Sequence, residues 1–437
     1  MRRELWWLNP AWVAGVMGGL FAVAAYIVPE WMYRVYWKTP KFFDGTQLVI
    51  TLACVAVFVI GAAAGAIRLR GANAAPETHW SERIPWNLTL RMFDVCFYLT
   101  LFGYLAWAGA AVARGANLQL AIGVLKGDKG ASYIMKEVYL GTISGVTTLT
   151  QLGLVMAVLG VMIGMQYGWR RVALKWIIIL GITVVRALMN SERLALMELT
   201  IPAVVLFVRL VLMESPRIAG RLWSLLRAAP AVGYSGLIVV FGASEYFRSW
   251  VNYYAGGDLS FWQFVSLRLL GYYVTALNNG ALLIQRIDPT GAPFFTFHML
   301  WRFPVLGGIM QMLYPNFALD SIDADPYMRI LAAEANPEFN NGGGLLLPII
   351  DYGFSGALLY WILAGIACGI LYRLFQQQRT AGLVLYPLVF ISVIELTRII
   401  YWAEGRVFVP FCALIAYAIA CAWYERRQEV MIWEPSH

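Results

Sequence analysis

The stretch "VALKWIIILGITVVRALMNSERLALMELTIPAVVLFVRLVLM" runs from Val172 to Met213. Each apolar flank is long enough to cross a hydrocarbon core of about 30 Å as a helix rising 1.5 Å per residue. The polar break between them, around Ser191 and Glu192, leaves room only for a tight turn. Two membrane helices joined outside the apolar layer is the reading that follows. Arg186 and Arg193, with Glu192 and Glu198, stand at that junction. Charge at such a place is costly and is often functional.

The rest of the chain agrees. Of 437 residues, 60% are hydrophobic and 13% charged, and mean hydropathy is +0.65. Soluble globular domains are not built this way. The fold class expected is an all-α polytopic membrane protein, a single helical domain over residues 1–437. Apolar windows of spanning length fall at about 11–28, 47–67, 93–113, 143–165, 172–188, 194–213, 231–247, 347–372, 382–400 and 407–424. The basic lead and first apolar run read as a retained helix rather than a removed signal. The net charge of +8 is explained by anchoring residues, so nucleic acid is not expected as a partner. Cys54, Cys96, Cys368, Cys412 and Cys421 form no CxxC pair and read as small core residues. The spacings "GAAAG" (61–65), "GVMIG" (160–164) and "GIACG" (365–369) point to close helix packing.

Lysine and arginine set the orientation. With the N-terminus inside, every inner segment is basic, for example Arg68, Arg70 and Arg83, or Arg170, Arg171 and Lys175. Arg186 and Arg193 then lie on the outer face, together with Arg398 and Arg406 of "RIIYWAEGR". So does a long segment without a span, about 248–346, which carries Arg268, Arg286 and Arg302. Parts of it, "FWQFVSLRLLGYYVTALNNGALLIQ" (261–285) and "FTFHMLWRFPVLGGIMQMLYP" (295–315), have a helical pattern suited to the membrane interface. Structured loops of this length usually carry function.

Outer arginines oppose the positive-inside trend, so topology does not explain them. A guanidinium binds phosphate through a planar, permanently charged fork. A set of them suits a lipid-linked phosphate or diphosphate, and ion pairing with Glu192, Glu198, Glu395 and Glu404 is the simpler alternative. Asp351, in "NNGGGLLLPIIDYGFSG" (340–356), is a helix-capping or structurally paired group, or a base on a sugar hydroxyl. His298 is the outer histidine and a second base candidate, set against inner His79 and terminal His437. Tyr272, Asn278, Asn279, Asn340 and Asn341 supply the aromatic faces and amides that a glycan site uses. No HExxH, Cys/His metal spacing, Walker sequence or dinucleotide fingerprint is present in the sequence.

In "NSERLALMEL", "YYVTALNNGALL" and "NNGGGLLLPIIDYGFSGALLYWILAGIACGILYR" with the following "YPLVFISVIELTRIIYW", the chain resembles the bacterial O-antigen polymerases. These join oligosaccharide repeat units of lipopolysaccharide, capsule or exopolysaccharide. The resemblance implies a metal-independent glycosyltransferase without a cofactor. It would act on undecaprenyl-diphosphate-linked oligosaccharides at the periplasmic face of the inner membrane, with a chain-length regulator and a flippase as partners. It implies Arg193 and Arg398 as the diphosphate clamp, with Arg186, Arg268, Arg286 and Arg406 as further members. Asp351 and His298 are rival bases, and Asn278, Asn279, Tyr272, Asn340 and Asn341 line the glycan. The alternatives are a ligase-like lipid-linked glycosyltransferase and a polyprenol-linked glycan flippase. The His-x10-Gly spacing of related ligases is not met by His298, which is followed by Gly307 and Gly308.

Overall fold

The computed structural model describes residues 5–67, 79–143, 145–190, 194–214, 220–221, 223–254, 256–303, 305–315, 326–336 and 338–433. Every regular element among them is helical. The principal helices are α1 (Pro10–Ile27), α2 (Gly45–Ala66), α3 (Trp86–Ala113), α4 (Leu152–Tyr167), α5 (Ala173–Asn190), α6 (Leu194–Glu214), α7 (Trp223–Glu245), α8 (Phe261–Arg286), α9 (Leu347–Gln376), α10 (Thr380–Ile394) and α11 (Gly405–Trp433). Among the described residues, 9 helices are long and apolar enough to cross a membrane. The chain is therefore a multi-pass α-helical membrane protein. α10, with 15 residues, is shorter than the 382–400 window. The chain leaves the helix at Glu395, and Leu396, Ile400 and Tyr401 bury their side chains from a turn instead. Apolar composition hid that turn from a hydropathy reading.

The helices group into two compact units. The first comprises Met1–Asn73, Leu267–Arg373 and Val389–Phe408. Its local starts are legible in sequence. Asn9 caps α1 ahead of Pro10, accepting from the Ala11 N–H at 2.9 Å. Asp44 opens α2 with a capping box closed by Gln47. The two outlying glycine pairs meet in this unit. Methyl groups on Gly61 and Gly65 would overlap the carbonyl oxygens of Ile362 and Ile366, and methyl groups on Gly365 and Gly369 those of Phe58 and Ala62. α2 and α9 thus cross backbone to backbone, as the small-residue spacing predicts. α9 itself bends at Gly353, whose φ of 69° and ψ of 177° only glycine adopts readily.

α8 is the helix that hydropathy does not mark as a span. Its middle is enclosed in the first unit: Val274, Ala276, Leu277, Asn278, Asn279, Ala281, Leu282 and Leu283 are all buried. Trp37 packs its indole on Gly271 and donates Nε1–H to the Leu267 carbonyl at 3.1 Å. Tyr33, Trp37, Phe43, Phe339 and Leu346 join α8 in one core cluster.

The second unit comprises Ala74–Ser266, Leu374–Leu388 and Val409–His437. Its centre is α4, buried continuously from Leu152 to Gly164. A helix that is apolar all round belongs in the middle of a bundle, and α4 packs against α3, α5 and α6. Its glycines make room for rings: a Cβ on Gly160 would meet the Trp176 indole, and one on Gly164 the Trp169 ring.

Candidate functional site

The first unit gathers several of the expected residues around α8. Arg268 and Tyr272 are one helical turn apart on it. The Arg268 guanidinium pairs with Glu338 and lies 5.4 Å from the centre of the Phe339 ring. Phe339 packs on Tyr272, centroids 5.3 Å apart. The Arg398 guanidinium lies 5.4 Å from the centre of the Tyr272 ring and 5.6 Å from that of Tyr273. Two arginines thus border one aromatic cluster, which desolvates them and favours the planar guanidinium over an ammonium.

Arg398 is held by Glu395, Nη1 to Oε2 at 2.7 Å. The Glu395 side chain is 1% exposed and that of Arg398 17%. Neither the Arg398 Nε nor the Glu395 Oε1 has a hydrogen-bond partner, although both are buried. An unsatisfied buried donor on a cation is expensive, so this guanidinium edge is suited to an anionic ligand. Glu395 as its holder is readable from the i, i+3 spacing in "IELTRII", one helical turn.

A glycine run positions this turn. The "NNGGG" chain passes between α8 and the 395–399 turn. A Cβ on Gly343 would lie 2.6 Å from the Ala276 carbonyl oxygen, and one on Gly344 2.6 Å from that of Leu396. Gly343 also has a φ of 72°, where glycine is favoured. The glycines are there to let the Arg398 turn approach α8.

The amides expected to bind glycan are committed to the same construction. Asn278 Oδ1 accepts from the Phe42 and Phe43 N–H groups at 2.6 and 3.1 Å, and its Nδ2 donates to the Pro40 carbonyl at 2.8 Å. Asn279 Nδ2 donates to the carbonyls of Phe339 at 2.6 Å and Asn341 at 3.0 Å. Each pins a loop to α8, and both are buried. Asn340 is exposed, its carbonyl accepting from the Tyr327 hydroxyl, and Asn341 and Tyr272 are half-buried.

Asp351 is fully enclosed and hydrogen-bonded through both oxygens. Its Oδ1 accepts from the Phe295 N–H at 3.0 Å; its Oδ2 accepts from the Thr296 N–H at 2.8 Å and the Thr296 hydroxyl at 2.7 Å. The Tyr352 hydroxyl, 2.6 Å from Thr296 Oγ1, then completes the chain as a donor. The carboxylate fastens residues 295–296 to the start of α9, the structural alternative of the sequence reading. His298 follows directly, opening the short helix His298–Arg302. Its Nε2 is buried without a partner. Burial, seconded by the Arg302 charge, lowers its pKa to about 4, so the ring is neutral at physiological pH.

The other expected arginines are as follows in the structure. Arg286 is exposed and gives both fork positions to Glu334, at 2.9 and 2.6 Å. That contact raises the arginine pKa and lowers the glutamate's. Arg406 is half-buried at the start of α11. Arg186 belongs to the second unit, where it donates to Thr150 Oγ1 at 3.2 Å and lies 5.2 Å from the Trp107 ring. Arg193 lies outside the described residues. Among the described residues no group of His, Cys, Asp and Glu is arranged to hold a metal ion. Compared with known protein families, with characterised proteins and with solved structures, the chain finds no match.

Proposed function

We propose that the chain polymerises oligosaccharide repeat units carried on undecaprenyl diphosphate, at the periplasmic face of a bacterial inner membrane. The observation that carries this reading is the Arg398 edge. It is a desolvated guanidinium, oriented by Glu395 and two tyrosines, with a buried N–H left unsatisfied. Such a group suits a diphosphate leaving group, whose charge grows as the glycosidic C–O bond to phosphate breaks. Arg268 extends the cationic stack along α8. The acceptor hydroxyl of a second lipid-linked unit attacks the anomeric carbon. His298, neutral and with an unpartnered Nε2, is the candidate to receive its proton in the Nδ1–H tautomer. Asp351 already accepts from Phe295 and Thr296 through both oxygens. It acts as a positioning residue, through Phe295 and Thr296, on the segment that carries His298.

The test is a gel of surface polysaccharide and lipid-linked intermediates from a deletion strain carrying wild type, Arg398→Ala or Arg398→Lys. Loss of one preorganised donor to a developing oxyanion costs about 10²- to 10³-fold in rate. Arg398→Ala at normal protein level is therefore expected to leave single repeat units and no ladder. Lysine keeps the charge and loses the fork, so partial recovery is expected. A full ladder from Arg398→Ala refutes the role of this residue. Long chains accumulating on the lipid carrier would make the protein a ligase, and repeat units trapped on the inner face would make it a flippase.

A further inference from the structure

Between α3 and α4 the second unit carries a helical hairpin with no counterpart among the apolar windows. Its first helix, Leu118–Lys126, is capped by Asn117, whose side chain accepts from the Leu120 N–H at 2.8 Å, and ends at Gly127 with a φ of 78°. A second turn, Ala131–Ile134, continues as a π-turn through Tyr139. Arg114, just past α3, ties down the far end by donating to the Tyr139 and Gly141 carbonyls at 3.1 and 3.3 Å. Val124, Ala131 and Met135 form the buried seam, with Leu120, Ala121 and Met189 against it.

The first helix has three faces rather than two. At 100° per residue, Leu120, Ala121 and Val124 share the side turned to the bundle. Leu118, Ile122 and Leu125 fall within about 60° of one another on a second side, and they are 76%, 41% and 51% exposed. Gln119 and Lys126 share a third, narrow polar strip, exposed like the second side. The following turn adds exposed Tyr133, Ile134 and Val138.

We propose that this hairpin lies in the membrane–water interface, with Leu118, Ile122 and Leu125 in the acyl-chain boundary and Lys126 at the lipid phosphates. The occupant of the apolar side is the phospholipid bilayer. Both neighbours of the hairpin are candidate spans, α3 ending at Ala113 and the next starting at Val146. The connections are a few residues long, at most about 3.5 Å each, so the hairpin stays at the bilayer edge. One side to protein, one to hydrocarbon and a basic strip to headgroups is the pattern of an interfacial helix. The proposal is independent of the polymerase reading.

Spin labels read it directly. In the full chain with Cys412→Ser, the remaining cysteines are buried. Single cysteines are then placed at Leu118, Ile122, Leu125, Gln119 and Lys126, positions that tolerate a label because they are exposed. In proteoliposomes, collision with oxygen, which concentrates in lipid, is compared with collision with a water-soluble nickel chelate. The oxygen-to-nickel ratio is expected to be several-fold higher at positions 118, 122 and 125 than at 119 and 126. Equal, nickel-rich values at all five would place the apolar side in water and overturn the proposal. Protection from both probes at 118, 122 and 125 would mean a protein covers that side, and would overturn it too.

Discussion

Gly344→Ala is the most informative single substitution in the first unit. The added Cβ would sit 2.6 Å from the Leu396 carbonyl oxygen and 2.7 Å from the Ile399 carbonyl carbon. A comfortable C···O contact is about 3.3 Å, so the Arg398 turn must move by about 0.7 Å. The neighbours are backbone, which yields less easily than a side-chain tip. Overpacking of this kind costs about 1–3 kcal/mol. Loss of glycine's freedom in the unfolded chain returns about 0.4–1 kcal/mol, leaving a net loss of roughly 1–2 kcal/mol. In a unit of about 200 residues, each kcal/mol moves the melting temperature by about 2–4 °C, so a fall near 5 °C is expected. The assay is detergent melting, in a Cys96→Ser, Cys412→Ser, Cys421→Ser background, followed by a maleimide dye that reacts with Cys54 and Cys368 as they become exposed; both are buried, on α2 and α9 of this unit. Gly19→Ala is the control, since a Cβ there meets nothing within 4 Å, and it should melt no lower than wild type. Displacing a catalytic group by about 1 Å costs about 10²-fold, so the polymer ladder should shorten as well. If Gly344→Ala melts with Gly19→Ala, the glycine run is not what seats the turn on α8.

Other expectations follow from the same contacts. Gly65→Leu or Gly369→Leu should force α2 and α9 apart and lower the melt more than Gly344→Ala, while Gly181→Leu, in open space, should not. Asp351→Asn should lose about 3 kcal/mol or more, because its amide cannot accept from three donors; a full-stability, inactive Asp351→Asn protein would restore the base reading. His298 has its folded pKa depressed to about 4 from 6.5. Its contribution is therefore complete above pH 6.5 and is lost as pH falls toward 4, at most about 3 kcal/mol. His298→Gln melts at pH 7 and pH 5 should differ less than wild-type melts, and an equal difference would count against the buried neutral ring. Arg286→Ala removes an exposed, solvent-screened pair, so its melt should match wild type; a clear loss that salt does not reduce would contradict the exposed geometry.

How much of this was legible depends on which physics each residue obeys. Spans were readable because lipid imposes a long apolar run, and the glycine pairs because close crossing needs small residues at i and i+4. α8 was readable as a helix but not as a core element. Its Asn278 and Asn279 lower hydropathy, yet they are buried because loops supply their partners. A sequence does not announce which loop will meet which amide. For the same reason the sequence offered these asparagines as sugar ligands without showing the loop groups they hold. Asp351 carried both meanings, base and fastener, until Phe295 and Thr296 were seen to fill its oxygens. The Glu395–Arg398 pair lay in an apolar stretch that imitates the end of a span. The interfacial hairpin escaped because its apolar residues are divided between two faces and never form a long run.

The first unit is assembled from pieces that are far apart in sequence, and that has a consequence for synthesis. Met1–Asn73 leaves the ribosome roughly two hundred residues before its partners in Leu267–Arg373. At about 5–20 residues per second this is a wait of about 10–40 s. During that interval the glycine surface of α2 is exposed with α9 not yet made. Premature partners for α2 are therefore a hazard of biogenesis, and translation speed across residues 74–266 becomes a variable of folding.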